Sequence, residues 1–330
     1  MRVLVTGGAG FIGSHLVDAL LSAGHSIVVL DDFSTGSLEN LGAAKATGRA
    51  EVVVGSVLDD DALDRAMIGI DVVFHLAVQC IRKSLGSPLE NHEINATGTL
   101  RTLESARKHG VSRFVYCSSS EVYGNASSDA LYELTTACAP TTVYGASKLA
   151  GESYALAYWR TYGLPTIVVR PFNAYGPREH DRGVLAEVIP RFVIRALNGL
   201  PPVVFGDGSQ GRDFTYVTET ARGLALAMHS QELIGSIVNV GSGEFVTILD
   251  VAREVSKQCG RPNLGVKFMT SRPGDIQRLV ADTRRARELL SFQSEIEFQQ
   301  GIGKYIDWFR ATNPDPAACL ENDAMNWWMP

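Results

Sequence analysis

A glycine-rich turn at the amino terminus constrains the fold of this chain more than any other feature. Residues 1–6 form a predicted apolar strand, residues 7–13 read Gly-Gly-Ala-Gly-Phe-Ile-Gly, and residues 14–23 have the spacing of an amphipathic helix. Such a turn lets backbone amides approach a pyrophosphate at the helix amino terminus, and Gly13 lets helix and strand pack closely. The pattern predicts the first unit of a dinucleotide-binding α/β fold.

A second predicted strand, residues 26–30, ends at Asp31, eighteen residues after Gly13. A carboxylate at this position accepts hydrogen bonds from both hydroxyls of the adenosine ribose. It also repels a 2′-phosphate, so Asp31 favours NAD over NADP as the cofactor.

The rest of the chain alternates predicted strands and helices, which is typical of a doubly wound parallel sheet. Further strands are predicted over residues 51–54, 71–77, 114–116, 166–170 and 237–240. We expect a Rossmann domain over residues 1–177 with returns at about 213–243, a smaller substrate-binding lobe from residues 178–212 and 244–311, and a tail over residues 312–330. With 330 residues and 45% hydrophobic content, the chain can bury a large core.

Tyr144 and Lys148 lie four residues apart at the predicted start of a helix, so both stand on one face. A neighbouring ammonium favours a phenolate, so we expect Lys148 to lower the pKa of Tyr144 from about 10 toward neutrality. Tyr144 could then take a proton from a sugar or alcohol hydroxyl. Such a pair alone is more often an exposed pair on a helix. Together with the glycine turn and a hydroxyl-rich loop at residues 118–120, it indicates catalysis.

Several further motifs accompany these features. They are, in chain order, Phe74-His75-Leu76-Ala77, Asn95-Ala96-Thr97-Gly98-Thr99, Ser119 with Tyr144 and Lys148, residues 170–178 (Arg-Pro-Phe-Asn-Ala-Tyr-Gly-Pro-Arg), and Gly206-Asp207-Gly208 followed by Arg212-Asp213-Phe214. Over residues 1 to about 311, the chain resembles the extended short-chain dehydrogenases/reductases, the NAD-dependent nucleotide-sugar epimerases and dehydratases.

The resemblance implies roles for individual residues. Ser119, Tyr144 and Lys148 would be catalytic, with Glu121 beside them. NAD would contact Gly7, Gly10, Phe11, Ile12, Gly13, Asp31, Asp32, Ser56, Val57, Leu76, Ala77, Tyr144, Lys148 and Pro171. The nucleotide sugar, with a UDP-sugar as the first choice, would contact Asn173, Arg178, Arg212, Arg272 and Asp275. Ser56 departs from the aspartate usual in the family, which removes one expected contact to adenine.

Three reactions are open within this family: 4-epimerisation, 4,6-dehydration, and decarboxylation of a uronate. Dehydratases of the family place Asp-Glu after the catalytic hydroxyl, decarboxylases place Ser-Glu, and epimerases usually place small or apolar residues there. This chain has Ser120-Glu121, whereas residues 143–148 (Val-Tyr-Gly-Ala-Ser-Lys) resemble epimerases. We expect a 4-epimerase, with a dehydratase that uses Glu121 as the C5 base as the main alternative. A non-catalytic NAD-binding subunit is less favoured, because Ser119, Tyr144 and Lys148 are all present.

Charge and cysteine content define the expected setting. A formal charge of −6 argues against a nucleic-acid partner, and no apolar run reaches the roughly 18 residues of a membrane span. Five cysteines without a CxxC pair indicate neither a disulfide framework nor a metal site, so we expect a cytoplasmic protein. Arg82 and Lys83 could meet a phosphate or a sugar carboxylate, but the favoured expectation is a solvated basic pair. The resemblance also implies a homodimer through helices near residues 92–108 and 144–162.

Overall fold

The computed structural model describes residues 1–126, 128–271 and 275–322. The strands are β1 (Arg2–Thr6), β2 (Ser26–Asp31), β3 (Ala50–Val54), β4 (Val72–His75), β5 (Arg113–Cys117), β6 (Thr166–Pro171), β7 (Asn173–Tyr175), β8 (Val203–Phe205), β9 (Gly211–Arg212), β10 (Phe214–Tyr216), β11 (Ser236–Val240), β12 (Val246–Thr247), β13 (Lys267–Met269) and β14 (Arg278–Leu279). The α-helices are α1 (Phe11–Ser22), α2 (Gly42–Ala46), α3 (Asp60–Met67), α4 (Ile81–Gly86), α5 (Pro88–His92), α6 (Gly98–Lys108), α7 (Val143–Tyr162), α8 (Val188–Leu197), α9 (Val217–Ala227), α10 (Ile248–Gln258), α11 (Arg284–Leu290) and α12 (Phe298–Thr312). A π-helical turn, Glu93–Thr97, joins α5 to α6, and a 3₁₀ turn, Ser120–Tyr123, follows β5.

Seven parallel strands form the central sheet in the order β11-β6-β5-β4-β1-β2-β3. The chain winds outward from β1 in both directions, through β2 and β3 on one side and β4, β5 and β6 on the other. The predicted doubly wound fold is therefore confirmed. Ligands in such sheets bind at the carboxyl ends of the strands where the winding reverses, which here lies between β1 and β4.

Helices cover both faces of the sheet, since successive side chains of a strand point to opposite sides. Val3 and Val5 belong to one fully buried apolar cluster, which includes residues of α1 and α9. Leu4 belongs to the other cluster, which includes residues of α3, α6 and α7. Each face of the sheet is thus covered by a buried apolar cluster.

A smaller lobe holds an apolar cluster of its own, built around Tyr175, Phe298 and Tyr305 and the buried faces of α8, α10 and α12. Short strands complete this lobe: β8 pairs with β13, and β9 lies between β12 and β14. Because β7 directly follows β6 and pairs with β10, the chain enters this lobe from the carboxyl edge of the central sheet. The lobe therefore faces the edge where a ligand is expected.

Helix ends near this edge follow local capping chemistry. The predicted helix 14–23 begins earlier, at Phe11, because Gly10 is extended and serves as its amino-terminal cap. Thr142 accepts a hydrogen bond from the Gly145 amide and so fixes the start of α7, which ends at left-handed Gly163. Across the described ranges, the structure contains no helix both long and apolar enough to cross a bilayer.

Candidate active site

The glycine turn between β1 and α1 can be built only from residues without a side chain at its closest approaches. Gly7 has a φ of +68°, and its amide donates to the Leu30 carbonyl at 2.8 Å. A Cβ on Gly13 would lie 2.1 Å from the Gly7 carbonyl oxygen, and one on Gly7 would lie 2.7 Å from the Ala77 nitrogen. The turn therefore leaves the amino end of α1 open to an anionic group.

Asp31, at the end of β2, faces the same space. Its two carboxylate oxygens accept hydrogen bonds from the Ala9 and Phe33 amides, each at 2.9 Å. Burial raises the pKa of Asp31, and the two amides oppose that shift because they stabilise the charged form. Asp31 thus fixes the glycine turn through Ala9 and presents a carboxylate where the adenosine ribose is expected.

A cavity of about 360 Å³ runs from this turn to the start of α7. It is lined by every residue predicted to contact the cofactor: Gly7, Gly10, Phe11, Ile12, Gly13, Asp31, Asp32, Ser56, Val57, Leu76, Ala77, Tyr144, Lys148 and Pro171. The glycine cradle, the helix amino terminus and the ribose carboxylate at one end fit a dinucleotide without a 2′-phosphate. The chain therefore fits NAD on its own geometry. Within the described ranges, no group of three or more His, Cys, Asp or Glu side chains could hold a metal.

Ser119, Tyr144 and Lys148 converge at the other end of this cavity, which we call the cofactor cavity. Ser119 caps the 3₁₀ turn after β5, where its hydroxyl oxygen accepts from the Glu121 amide at 3.2 Å. Tyr144 and Lys148 lie in the first two turns of α7. A hydrogen bond with Ser119 acts to lower the pKa of Tyr144.

The expected low pKa of Tyr144 is wrong in this structure. Burial raises the pKa of the Tyr144 phenol well above its ordinary value, and this outweighs the hydrogen bond from Ser119. Burial likewise lowers the pKa of Lys148, to about 8. The Lys148 ammonium lies 4.7 Å from the centroid of the Tyr116 ring. The structure therefore holds a neutral phenol, which can donate a proton and must first ionise before it can accept one.

A fully buried ion pair lies behind these side chains. Arg170 of β6 donates to both carboxylate oxygens of Glu152, at 2.8 and 2.6 Å, and both side chains are 2% exposed. Glu152 also accepts from the Ser118 hydroxyl, and the Arg170 guanidinium lies 4.6 Å from the centroid of the Tyr123 ring. The pair joins α7, β5 and β6 directly beneath the site. The sequence carries no local signal for this pair, because Glu152 and Arg170 lie eighteen residues apart on a helix and on the following strand.

His75, on β4, is a buried, neutral histidine with a structural role. Burial lowers its pKa to about 3. Its Nδ1 lies 2.8 Å from the Thr6 hydroxyl and its Nε2 lies 2.9 Å from the Thr99 hydroxyl, which donates to the Asn95 carbonyl. The Thr99 hydroxyl donates its only proton to that carbonyl, so it can only accept from His75. Nε2 therefore carries the imidazole proton, and Nδ1 accepts a hydrogen bond from Thr6. The ring therefore links β1, β4 and α6.

A second cavity of about 300 Å³ lies between the central sheet and the smaller lobe, and we call it the lobe cavity. Arg212 and Asp275, both predicted to contact substrate, lie on its wall and pair with each other at 3.1 Å. Arg212 also donates to the Ile276 carbonyl at 2.6 Å. Arg191, Arg195 and Lys267 supply further positive charge. This excess of cations suits a diphosphate.

Five residues line both cavities, and we call them the junction: Ile81, Arg82, Glu121, Asn173 and Glu187. Arg82 is not the solvated residue expected from the sequence, because it forms a two-point ion pair with Glu187. Burial raises the pKa of Glu121; Arg212 opposes this shift and Asp275 adds to it. A sugar that joins a diphosphate in the lobe cavity to Tyr144 must cross this junction.

Arg178, also predicted to contact substrate, pairs with Asp18 of α1 at 2.8 Å and lines neither cavity, so its contact with substrate stays a prediction. Arg272 falls outside the described residues. Sequence reasoning missed Glu187 and Gln79. Gln79 lines the cofactor cavity and is 3% exposed, and neither polar atom of its side-chain amide has a hydrogen-bond partner among the described residues.

Comparison with known proteins identifies relatives along nearly the whole chain. The family model for the NAD dependent epimerase/dehydratase family matches residues 3–241. A dTDP-glucose 4,6-dehydratase of Streptomyces niveus is 33% identical, over 100% of this chain and 95% of its own. A UDP-N-acetyl-alpha-D-glucosaminuronate decarboxylase of Bacillus cytotoxicus is 34% identical, over 95% and 99%. The crystal structure of Thermus thermophilus UDP-glucose 4-epimerase in complex with NAD has a TM-score of 0.85 and 34% identity, over 94% and 99%. Three different reactions thus occur among relatives of equal similarity.

Proposed function

Because the chain belongs to the NAD-dependent epimerase/dehydratase family, we propose that it is a nucleotide-sugar 4-epimerase that works through a transient 4-keto-sugar. The observation that carries this choice is the content of the catalytic loop. Four residues of this loop line the cofactor cavity, and Glu121 is the only one of them with a carboxyl group. The other three are Ser118, Ser119 and Ser120. Elimination of water needs an acid and a base beside the sugar, whereas 4-epimerisation needs proton transfer at the C4 oxygen alone.

When bound, NAD would accept a hydride from C4 of the sugar and its reduced form would be the donor for the return of that hydride, so the cofactor would be recycled. The glycine turn and the amino end of α1 would hold its pyrophosphate, Asp31 its ribose, and Lys148 the ribose nearer the reacting carbon. Tight retention is expected, because the cavity is walled on one side by the glycine turn and on the other by the start of α7.

Tyr144 handles the proton in this proposal. Its phenol oxygen removes the proton of the C4 hydroxyl and later returns it, while the Ser119 hydroxyl holds the same sugar oxygen by a hydrogen bond. The raised pKa of Tyr144 keeps the phenol protonated in the resting protein, so it must ionise before it can take the C4 proton. Formation of the phenolate requires positive charge near Tyr144. Among this protein's own side chains, we propose that Lys148 provides it.

The lobe cavity would hold the nucleoside diphosphate, with a UDP-sugar as the proposed substrate. Apart from the junction residues, the charged side chains that line it are four cations and one carboxylate: Arg191, Arg195, Arg212, Lys267 and Asp275.

We further propose a cytosolic homodimer. Leu100, Trp159 and Tyr162, on the helices that the resemblance assigns to the dimer, expose 38%, 37% and 58% of their surface, and each of the five cysteines is unpaired.

A 4,6-dehydratase is the second candidate, because Glu121 lies at the junction with a raised pKa. A carboxyl group there could take a proton from C5. In the epimerase, Glu121 acts on no proton of the sugar and serves only to orient neighbouring groups.

Glu121→Gln separates the two candidates. In a 4-epimerase this variant should keep turnover within about tenfold of the wild type, since no proton transfer is lost. In a dehydratase the amide cannot accept the C5 proton, so product formation should collapse while reduced cofactor accumulates. Turnover of UDP-glucose followed by NMR, together with cofactor absorbance, gives both readouts. Glu288→Gln, an exposed carboxyl on α11, is the matched control.

A further inference from the structure

We propose that Arg82 and Glu187 form a charge filter at the junction, which admits a neutral hexose and excludes a hexuronate. The inference rests on the proposed binding of a nucleotide sugar and specifies which sugar can react. It concerns two residues to which the sequence motifs give no role.

The position of the pair places it beside the reacting sugar. Arg82 lies in the first turn of α4, on the side of the central sheet, and Glu187 directly precedes α8 in the smaller lobe. Both line the cofactor cavity and the lobe cavity. A sugar with its C4 hydroxyl at Tyr144 and its diphosphate near Arg212 therefore passes between or against these two side chains.

The charge of Arg82 is already compensated by protein carboxylates. Its Nη1 donates to Glu187 Oε2 at 2.8 Å, and its Nη2 donates to Glu187 Oε1. The buried Glu179 carboxyl also interacts electrostatically with both residues. Burial is the main cause that raises the pKa of Glu179, and the negative charge of Glu187 raises it further, whereas Arg82 opposes this shift. Glu121 faces the same junction. A uronate would bring a further carboxylate to the junction, where the Arg82 guanidinium is already paired with Glu187. The uronate carboxylate would then be buried without a cationic partner, which weakens binding.

Hydroxyl groups, in contrast, match what the junction leaves unsatisfied. Arg82 Nε is buried and donates to no acceptor within the described residues, and Asn173 Oδ1 is buried and accepts from no donor there. A sugar hydroxyl can accept from the first and donate to the second, as well as donate to the carboxylates of Glu121 and Glu187. The junction is thus complementary to a neutral polyol.

Arg82 is the one cation among the five junction residues, whereas Lys83 and Lys148 line the cofactor cavity alone. Arg191, Arg195, Arg212 and Lys267 line the lobe cavity and not the cofactor cavity. Arg191 donates to the Ala186 and Gly183 carbonyls and Arg195 to the Pro201 carbonyl, which holds these guanidinium groups toward the lobe. Charge selection at the sugar therefore falls to Arg82 and Glu187.

Opposite variants of the pair should shift selectivity in opposite directions. Glu187→Gln removes one negative charge and releases the terminal N–H groups of Arg82, so binding of a uronate should improve. Arg82→Gln leaves Glu187 without its ion-pair partner, so binding of a uronate should weaken further. A variant that merely loosens the site would not produce shifts of opposite sign.

Calorimetry with the NAD-loaded protein measures this selectivity as the Kd of UDP-glucuronate divided by the Kd of UDP-glucose. We expect a ratio of at least about 10 for the wild type, a ratio at least about tenfold lower for Glu187→Gln, and a higher one for Arg82→Gln, as charge-pair truncations typically change affinity by at least this much. Glu288→Gln should leave the ratio unchanged. Thermal unfolding verifies that each variant is folded.

A wild-type ratio at or below one, or an unchanged ratio in Glu187→Gln, overturns the charge filter. NMR of the products tests the reaction separately. If UDP-glucose is dehydrated while the ratios behave as expected, the filter stands and the 4-epimerase proposal fails. If neither nucleotide sugar binds, both proposals fail.

Discussion

Replacing Asp31 by Asn tests the cofactor site with the least disturbance of shape. Both carboxylate oxygens of Asp31 accept backbone amides, from Ala9 and Phe33. An Asn side chain keeps one acceptor oxygen, so one of these amides loses its partner at a cost of about 1–3 kcal/mol in the free energy of unfolding. The larger effect is electrostatic, since the substitution removes the negative charge that faces the ribose.

The magnitude follows from the position of that charge. A 2′-phosphate on a ribose hydrogen-bonded to Asp31 would place its charge roughly 4 Å from the carboxylate, which costs about 4 kcal/mol per unit charge at an effective dielectric constant of about 20. Since about 1.4 kcal/mol is a factor of ten, the wild type should bind NAD at least ~10³-fold more tightly than NADP. Asp31→Asn should reduce this preference to roughly tenfold or less, through weaker NAD binding and stronger NADP binding.

Calorimetric titration of the protein after removal of bound dinucleotide gives both Kd values. Asp307→Asn, an exposed position on α12, serves as the control. The reasoning is refuted if the wild type binds the two cofactors within tenfold of each other, or if Asp31→Asn leaves their ratio unchanged.

Three further predictions concern the turn and the catalytic pair. Tyr144→Phe should retain the fold and NAD but lose roughly two to four powers of ten in turnover, the usual worth of a positioned acid/base; wild-type turnover would remove Tyr144 from the mechanism. Gly13→Ala places a Cβ 2.1 Å from the Gly7 carbonyl oxygen, so urea unfolding should reveal a loss of about 1–3 kcal/mol and NAD should bind more weakly. The control is Gly42→Ala, which meets no atom within 4 Å, and equal stability of the two variants would contradict the steric argument. Burial lowers the pKa of Lys148 from 10.5 to about 8, so the folded protein binds fewer protons there than the unfolded chain between these pH values, and the penalty of the buried charge is relieved as pH rises. Relative to Lys148→Met, wild-type stability should therefore increase by up to about 3 kcal/mol between about pH 8 and 10.5, and parallel pH profiles would contradict this.

Features encoded in short stretches of the chain could be read from the sequence. The glycine turn, Asp31 at the end of its strand and the Tyr144–Lys148 spacing are local, because each depends on a strand, a turn and a helix that adjoin in the chain. The doubly wound sheet followed from the same alternation of elements.

Features made by tertiary contact could not be read in this way. Arg82 and Glu187 meet although they lie 105 residues apart, so the sequence carries no local signal of their pairing. Arg178 belongs to the same sequence motif as Asn173, which lines the cavities, but the Arg178 side chain forms an ion pair with Asp18. The pKa of Tyr144 depends on how completely the phenol is buried, and burial acts against the effect expected from a neighbouring ammonium.

The central claim is that the chain inverts C4 of a nucleotide sugar and moves no proton at C5 or C6. The most direct test incubates the NAD-loaded protein with UDP-glucose in deuterium oxide and examines the product by mass spectrometry and NMR. We predict a C4 epimer of unchanged mass with no deuterium on carbon, because the same hydride returns and Tyr144 exchanges only the hydroxyl proton. Loss of water, or solvent deuterium at C5 or C6 of the product, would contradict the account.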